Sequence, residues 1–95
     1  MTGLIQKGSR EILIITTGQL RAARGLLGWS QTDLATRAGL SLPTVKRVEI
    51  DLGIRVSDDA RSKLRHALET AGIEFIDENG GGPGVRLRKG AQKKR

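Results

Sequence analysis

The sequence predicts a mainly α protein, in which four helices are followed by a C-terminal β-hairpin. Apolar residues recur at helical spacing in four consecutive segments. Each segment follows a Ser or Thr that can cap a helix, and three of the four stop at a glycine. After Gly72 the apolar period changes from helical to alternating, on both sides of a glycine-rich turn.

The first helix is predicted over Gln19 to Leu27, with Thr17 as its N-cap. Leu20 and Ala23 recur at helical spacing and mark its buried face. Gly28 follows directly and can take the left-handed conformation that closes a helix.

Two short helices come next. Ser30 caps the second helix, which covers Gln31 to Ala38 and is ended by Gly39. Ser41 caps the third helix, which ends near Glu49 or Ile50. Pro43 lies in its first turn, where the missing N–H costs nothing.

Ser57 caps a fourth helix that runs to about Ala71, and two acidic residues follow the cap. Its buried stripe contains Ala60, Leu64, Ala67, Leu68 and Ala71. The strands Ile73 to Asp77 and Val85 to Lys89 then form the hairpin around the turn at residues 79–84.

Near the N-terminus, Glu11 to Thr16 is rich in β-branched residues and predicts a short strand. Because two strands alone are marginally stable in water, we expect Glu11–Ile15 to join the hairpin, within its own chain or across a twofold axis. The predicted organisation is therefore a flexible segment with a strand at 1–16, a four-helix domain at 17–72 that carries the functional surface, a dimerising hairpin at 73–89 and a basic disordered tail at 90–95.

The charge of the chain indicates a polyanionic partner. Its 17 Lys and Arg against 10 Asp and Glu leave a net charge of +7. This balance favours nucleic acid first and an anionic membrane surface second. The last ten residues carry six cations and no acid, a pattern more typical of a solvated end than of a specific reader.

Other functions find little support in the composition. The 95 residues contain no Cys, so disulfides and thiol-ligated metals are excluded, in keeping with a reducing cytosol. The longest aliphatic run, Ile12 to Ile15, is too short to cross a bilayer. No catalytic, metal or cofactor pattern is present, and Asp58 and Asp59 diverge on a helix rather than forming a dyad. We expect a cytoplasmic, nucleoid-associated protein that is not an enzyme.

The second and third helices have the helix-turn-helix plan, in which the second of the pair presents basic residues outward. Ala35 is small enough for the helices to approach closely, and Gly39 makes the turn. With Val45 and Val48 turned inward, the opposite face holds Leu42, Pro43, Lys46, Arg47 and Ile50. That face would enter the major groove.

The segment Gln19 to Glu49 resembles the lambdoid phage repressors, the Cro proteins and their Xre-like bacterial relatives. The motifs that carry the resemblance are Leu20-Arg21-x-x-Arg24, Leu27-Gly28-Trp29-Ser30-Gln31-x-x-Leu34-Ala35, Ala38-Gly39-Leu40 and Val45-x-x-Val48-Glu49. The match covers about a third of the chain closely, and the ordered combination is what makes it specific.

The resemblance implies roles for individual residues. Gln31 matches a glutamine that grips a phosphate, with an ordinary exposed helix start as the alternative. Arg24 and Glu49 match a partly buried structural ion pair. Arg47 matches a base reader suited to guanine, with a phosphate clamp or a solvated side chain as the alternatives. Ser41, Thr44 and Lys46 are implied as further phosphate or base contacts.

Three departures from the family pattern qualify the resemblance. Leu42 and Pro43 replace polar base readers; they can touch thymine methyl groups but cannot donate hydrogen bonds to bases. Asp51 stands where the family usually has a glycine. The hairpin replaces the family's fifth helix, which calls its usual mode of dimerisation into question.

Trp29 and His66 belong to residue types that often function in binding sites, but the sequence favours structural or solvent-exposed roles for both. Trp29 matches an apolar position of the family, so core packing is expected over base stacking. His66 lies off the buried stripe of the fourth helix, and without a second His or a Cys it does not form a metal site.

These observations predict a sequence-specific transcriptional regulator, a repressor that binds a palindromic operator in double-stranded DNA as a homodimer. The alternative is an antitoxin or antiactivator that acts on a protein partner through the same fold.

Overall fold

The computed structural model describes residues 15–50 and 56–90 of the chain. The helices are α1 (Thr17–Leu27), α2 (Gln31–Ala38), α3 (Leu42–Ile50) and α4 (Asp58–Thr70), followed by the strands β1 (Ile73–Ile76) and β2 (Gly84–Leu87). The order confirms four helices followed by a hairpin. The predicted segment 1–14, the loop residues 51–55 and the tail residues 91–95 lie outside the described residues.

Helix α1 begins two residues earlier than predicted, because Thr16 and not Thr17 is its cap. The hydroxyl of Thr16 accepts a hydrogen bond from the backbone N–H of Gln19 at 3.0 Å. In return, the side-chain oxygen of Gln19 accepts from the backbone N–H of Thr16 at 2.9 Å. This reciprocal capping box fixes the start of the helix, a pattern in which glutamine is three residues after the cap.

The remaining helix boundaries follow the predicted caps closely. Ser30 and Asp33 form a second capping box at the start of α2. The hydroxyls of Ser41 and Ser57 accept backbone hydrogen bonds at the starts of α3 and α4, at 3.2 Å and 3.0 Å. Gly39 ends α2 with a φ of 71°, a left-handed conformation that favours glycine. This turn sets the angle between α2 and α3.

A single apolar core joins the four helices to the hairpin. The fully buried side chains, one or more from each helix and from β1, are Leu20, Leu27, Leu34, Val45, Val48, Leu64, Leu68 and Ile73. Trp29 is also buried, as expected for core packing. The core fixes α3 by two valines one turn apart, so one side of that helix is available for contacts.

Strands β1 and β2 pair antiparallel, with Phe75 opposite Val85 and Glu74 opposite Arg86. The side of Phe75 and Val85 packs on the core, and the hairpin lies against α1 and α4. Two residues of the predicted strand Glu11–Thr16 are described, and neither is in a strand. Ile15 is buried in the core and Thr16 caps α1, so the predicted strand is wrong at these two residues.

Within residues 15–50 and 56–90, no helix is both long enough and apolar enough to cross a membrane.

Candidate nucleic-acid interface

The outer side of α3 carries most of the DNA contacts predicted from the sequence. Pro43, Lys46, Arg47 and Ile50 are exposed, and Ile50 keeps 82% of its surface accessible. Leu42 and Thr44 are half-buried. Because Val45 and Val48 are fully buried on the other side, this outer side stands clear of the core.

The first turn of α3 holds its hydroxyl groups in a fixed arrangement. The side-chain oxygens of Ser41 and Thr44 lie 2.8 Å apart, and Ser41 also accepts from the backbone N–H of Thr44. Ser41 is exposed, so its hydroxyl can also meet a ligand in front of the helix.

Arg24 of α1 and Glu49 of α3 are brought together as the resemblance implied. Arg24 donates from Nε to Glu49 Oε2 at 2.6 Å and from the terminal Nη2 to Oε1 at 2.9 Å. Its other terminal nitrogen, Nη1, donates to the carbonyl oxygen of Trp29 at 3.0 Å. The bidentate pair therefore ties α1 to α3 and to the residue that precedes the α2 cap.

The surroundings of this pair shift both pKa values. Burial raises the pKa of the Glu49 carboxyl, but hydrogen bonds from Arg24 and Gln31 and the charges of Arg24 and Arg21 outweigh burial, so the pKa is lowered overall. The hydrogen bond to Glu49 is the largest effect on Arg24 and raises its pKa above the ordinary value, against the opposing effect of burial. Glu49 is therefore ionised and Arg24 protonated at neutral pH.

Gln31, the implied phosphate ligand, is anchored by the same carboxylate. Its side-chain nitrogen donates to Glu49 Oε1 at 3.1 Å. An amide nitrogen carries two N–H groups, so a second one is available for another acceptor. Gln31 is half-buried at the amino end of α2, where backbone N–H groups and the helix dipole also favour an anion.

A cleft of about 710 Å³ opens beside this network, between α1 and the start of α2 and the end of α3. Its lining is Thr17, Arg21, Arg24, Gln31, Lys46, Glu49 and Ile50. Three of these are cations, and the one carboxylate is already paired with Arg24. The cleft therefore has an excess of positive charge, which suits a phosphate group.

Arg21 and Thr17 line the cleft, although the sequence had not predicted either of them as a DNA contact. Arg21 precedes Arg24 by one helical turn, so the two share a face of α1, and this spacing was the available signal. Thr17, the predicted cap, is instead the first residue of α1.

The residues set aside from function are placed apart from this cleft. The guanidinium of Arg37 lies 4.9 Å from the ring centroid of the buried Trp29. His66 is exposed and lines a smaller groove of about 250 Å³ with Arg37 and Thr70. The side chains of residues 15–50 and 56–90 form no group of acids and histidines able to hold a metal ion.

Comparison with known proteins identifies the family of the chain. A helix-turn-helix family model matches residues 20–69, which is more than half of the chain and extends from α1 to the last turn of α4. No curated protein matches the chain. The matched family consists of regulatory DNA-binding domains and is not an enzyme family. The chain therefore belongs to the helix-turn-helix family of Xre-like and lambda-repressor-like DNA-binding transcription regulators.

Proposed function

We propose that this regulator is a sequence-specific repressor that binds a palindromic operator as a homodimer, with α3 in the major groove. The observation that carries the proposal is the exposed outer side of α3, held clear of the core by the buried Val45 and Val48. An α-helix fits the major groove, where each base pair presents a distinct pattern of donors and acceptors.

Arg47 is the proposed base reader. It lies on the exposed side of α3, and the described residues offer it no hydrogen bond or ion pair within the protein. A free guanidinium can make two hydrogen bonds to one guanine, a contact that contributes about 1–3 kcal/mol of discrimination. Ser41, Thr44, Leu42 and Pro43 are the proposed neighbours of Arg47 at the groove.

Gln31 and Lys46 are the proposed phosphate ligands, with Arg21 added from the structure. All three line the cationic cleft beside α3. Contacts to phosphate fix the register of a protein on DNA without reading sequence. In this arrangement the Arg24–Glu49 pair is structural: it orients Gln31 and holds α1 against α3.

The hairpin is the proposed dimer contact. The described residues form a sheet of two strands, so each strand has an edge without a strand beside it in that part of the chain. A monomer reads one half-site, whereas a twofold dimer reads two half-sites roughly 34 Å apart. The proposed site of action is the cytoplasm, at the nucleoid, and the proposed activity is binding without catalysis.

Selection of bound fragments from the genome of the source organism, followed by titration of the purified chain with the recovered duplex, tests this function. We expect a palindromic site and a log affinity that falls linearly with the logarithm of the salt concentration. Co-purification with a protein partner, together with no affinity for any duplex at low salt, would instead support the antitoxin or antiactivator alternative and exclude this proposal.

A further inference from the structure

Beyond the reading of guanine, the exposed side of α3 carries an apolar pattern. Pro43, Arg47 and Ile50 are four and three residues apart, so they form one stripe along the helix. All three are exposed. Within residues 15–50 and 56–90, Ile50 is the one large hydrophobic side chain that is mostly exposed. The guanidinium of the stripe thus stands between two apolar groups.

We propose that this stripe recognises thymine methyl groups on both sides of the guanine that Arg47 contacts. The proposal rests on the proposed function and specifies which DNA it prefers. The thymine methyl group is the only apolar group that a standard base presents in the major groove, and apolar side chains contact it. Pro43 and Ile50 offer no side-chain hydrogen bond, so methyl contact is the base recognition open to them.

The dimensions of the stripe match this arrangement. Pro43 and Ile50 are separated by about 10 Å along the helix axis, which corresponds to roughly three base pairs at about 3.4 Å each. Long side chains on a helix lean towards its N-terminus, so Ile50 leans over the turn that contains Arg47. Each apolar residue can therefore meet a base within two base pairs of the guanine.

Replacement of single thymines by deoxyuridine in the selected duplex tests the proposal, because it removes the methyl group and preserves base pairing. For the full chain we expect the Kd to rise about fourfold at each contacted thymine, as for one buried carbon. Deoxyuridine at thymines outside the half-sites is the matched control and should leave the Kd unchanged.

The variant Ile50→Ala links the effect to the stripe. We expect it to bind the thymine duplex more weakly than the natural chain and to become insensitive to deoxyuridine at one position, while Pro43→Ala becomes insensitive at the other. If every substitution within two base pairs of the guanine changes the Kd by less than about twofold, the stripe does not recognise methyl groups. If the chain binds no duplex at low salt, the proposed function fails first, and this inference fails with it.

Discussion

Gln19 in the first turn of α1 donates from its side-chain nitrogen to the carbonyl oxygen of Gly84 at 2.9 Å, across 65 positions of the sequence. The same nitrogen donates to the carbonyl oxygen of Ile76 at 3.1 Å. Because the side-chain oxygen of Gln19 completes the capping box of α1, a single buried amide fixes the start of the helix and the turn end of the hairpin.

Gln19→Ala should therefore destabilise the protein more than loss of the cap alone. We expect Thr16→Ala, which keeps the hydrogen bonds to the hairpin, to cost about 1 kcal/mol. Gln19→Ala should cost about 2–3 kcal/mol, since it also leaves the part-buried carbonyls of Ile76 and Gly84 without their donor. Urea denaturation measures both values, and equal losses for the two variants would show that the hairpin contact contributes nothing.

The Arg24–Glu49 pair predicts a second loss of stability. Glu49→Gln leaves the guanidinium of Arg24 without its charged partner, and about 3 kcal/mol is expected because the pair is mostly buried. The double replacement of Arg24 and Glu49 by Met should cost less than the two single replacements combined. A loss below about 1 kcal/mol for Glu49→Gln would place the pair among weak surface contacts.

The same pair predicts a dependence of stability on pH. The pKa of Glu49 in the folded protein lies below its ordinary value of 4.5, so the unfolded chain binds the proton first as the pH falls. The contribution of ionised Glu49 to the free energy of unfolding is therefore complete above its ordinary pKa of 4.5. It is lost as the pH falls through the lower pKa of the folded protein. Urea titrations should show a constant difference between the natural chain and Glu49→Gln from neutral pH to pH 5, and a shrinking one below about pH 4.5.

These long-range polar contacts mark the limit of what the sequence can predict. Caps and closing glycines act within a few residues, so the sequence predicts the bounds of α2 correctly. The predicted start of α1 is wrong by two positions, because Thr16 and not Thr17 is its cap. The resemblance implied the contact of Arg24 with Glu49. The spacing of Arg21 and Arg24 indicates that they share a face of α1. That Gln19 contacts Gly84 and that Arg21 lines a cleft with Lys46 depend on how the helices and the hairpin pack, which no local pattern predicts.

Arg47 and Lys46 are expected to affect DNA binding differently. Arg47→Ala should weaken binding to the selected operator by about 1–3 kcal/mol for each half-site and leave binding to unrelated DNA nearly unchanged, since it removes one base contact from each chain. Lys46→Ala should weaken binding to both kinds of DNA, since it removes a phosphate contact. Fluorescence anisotropy with both duplexes separates these cases, and full operator affinity in both variants would mean that α3 is not the reader.

The cationic cleft predicts a phosphate contact by Arg21. In Arg21→Ala, the slope of log affinity against log salt should become shallower by about one for each half-site, hence by about two for the proposed dimer, because each chain neutralises one fewer phosphate. Lys63→Ala is the matched control: it removes one positive charge from α4, where Lys63 is paired with Asp59 and does not line the cleft. Equal slopes for the two variants would show that Arg21 does not contact a DNA phosphate.

The hairpin predicts the assembly state. Ile76 is half-buried on the side of the sheet opposite Phe75, and it reaches over Gly84, where an added Cβ would lie 3.9 Å from its Cδ1. Sedimentation at micromolar concentration should give about twice the chain mass of 10.3 kDa, as for a twofold dimer.

Ile76→Glu should shift the mass to the monomer with the helical circular dichroism unchanged, because a charge there opposes burial between two copies. Ser62→Glu, which adds the same charge to an exposed position of α4, should stay dimeric. If the natural chain sediments as a monomer with and without DNA, the hairpin is not a dimer contact.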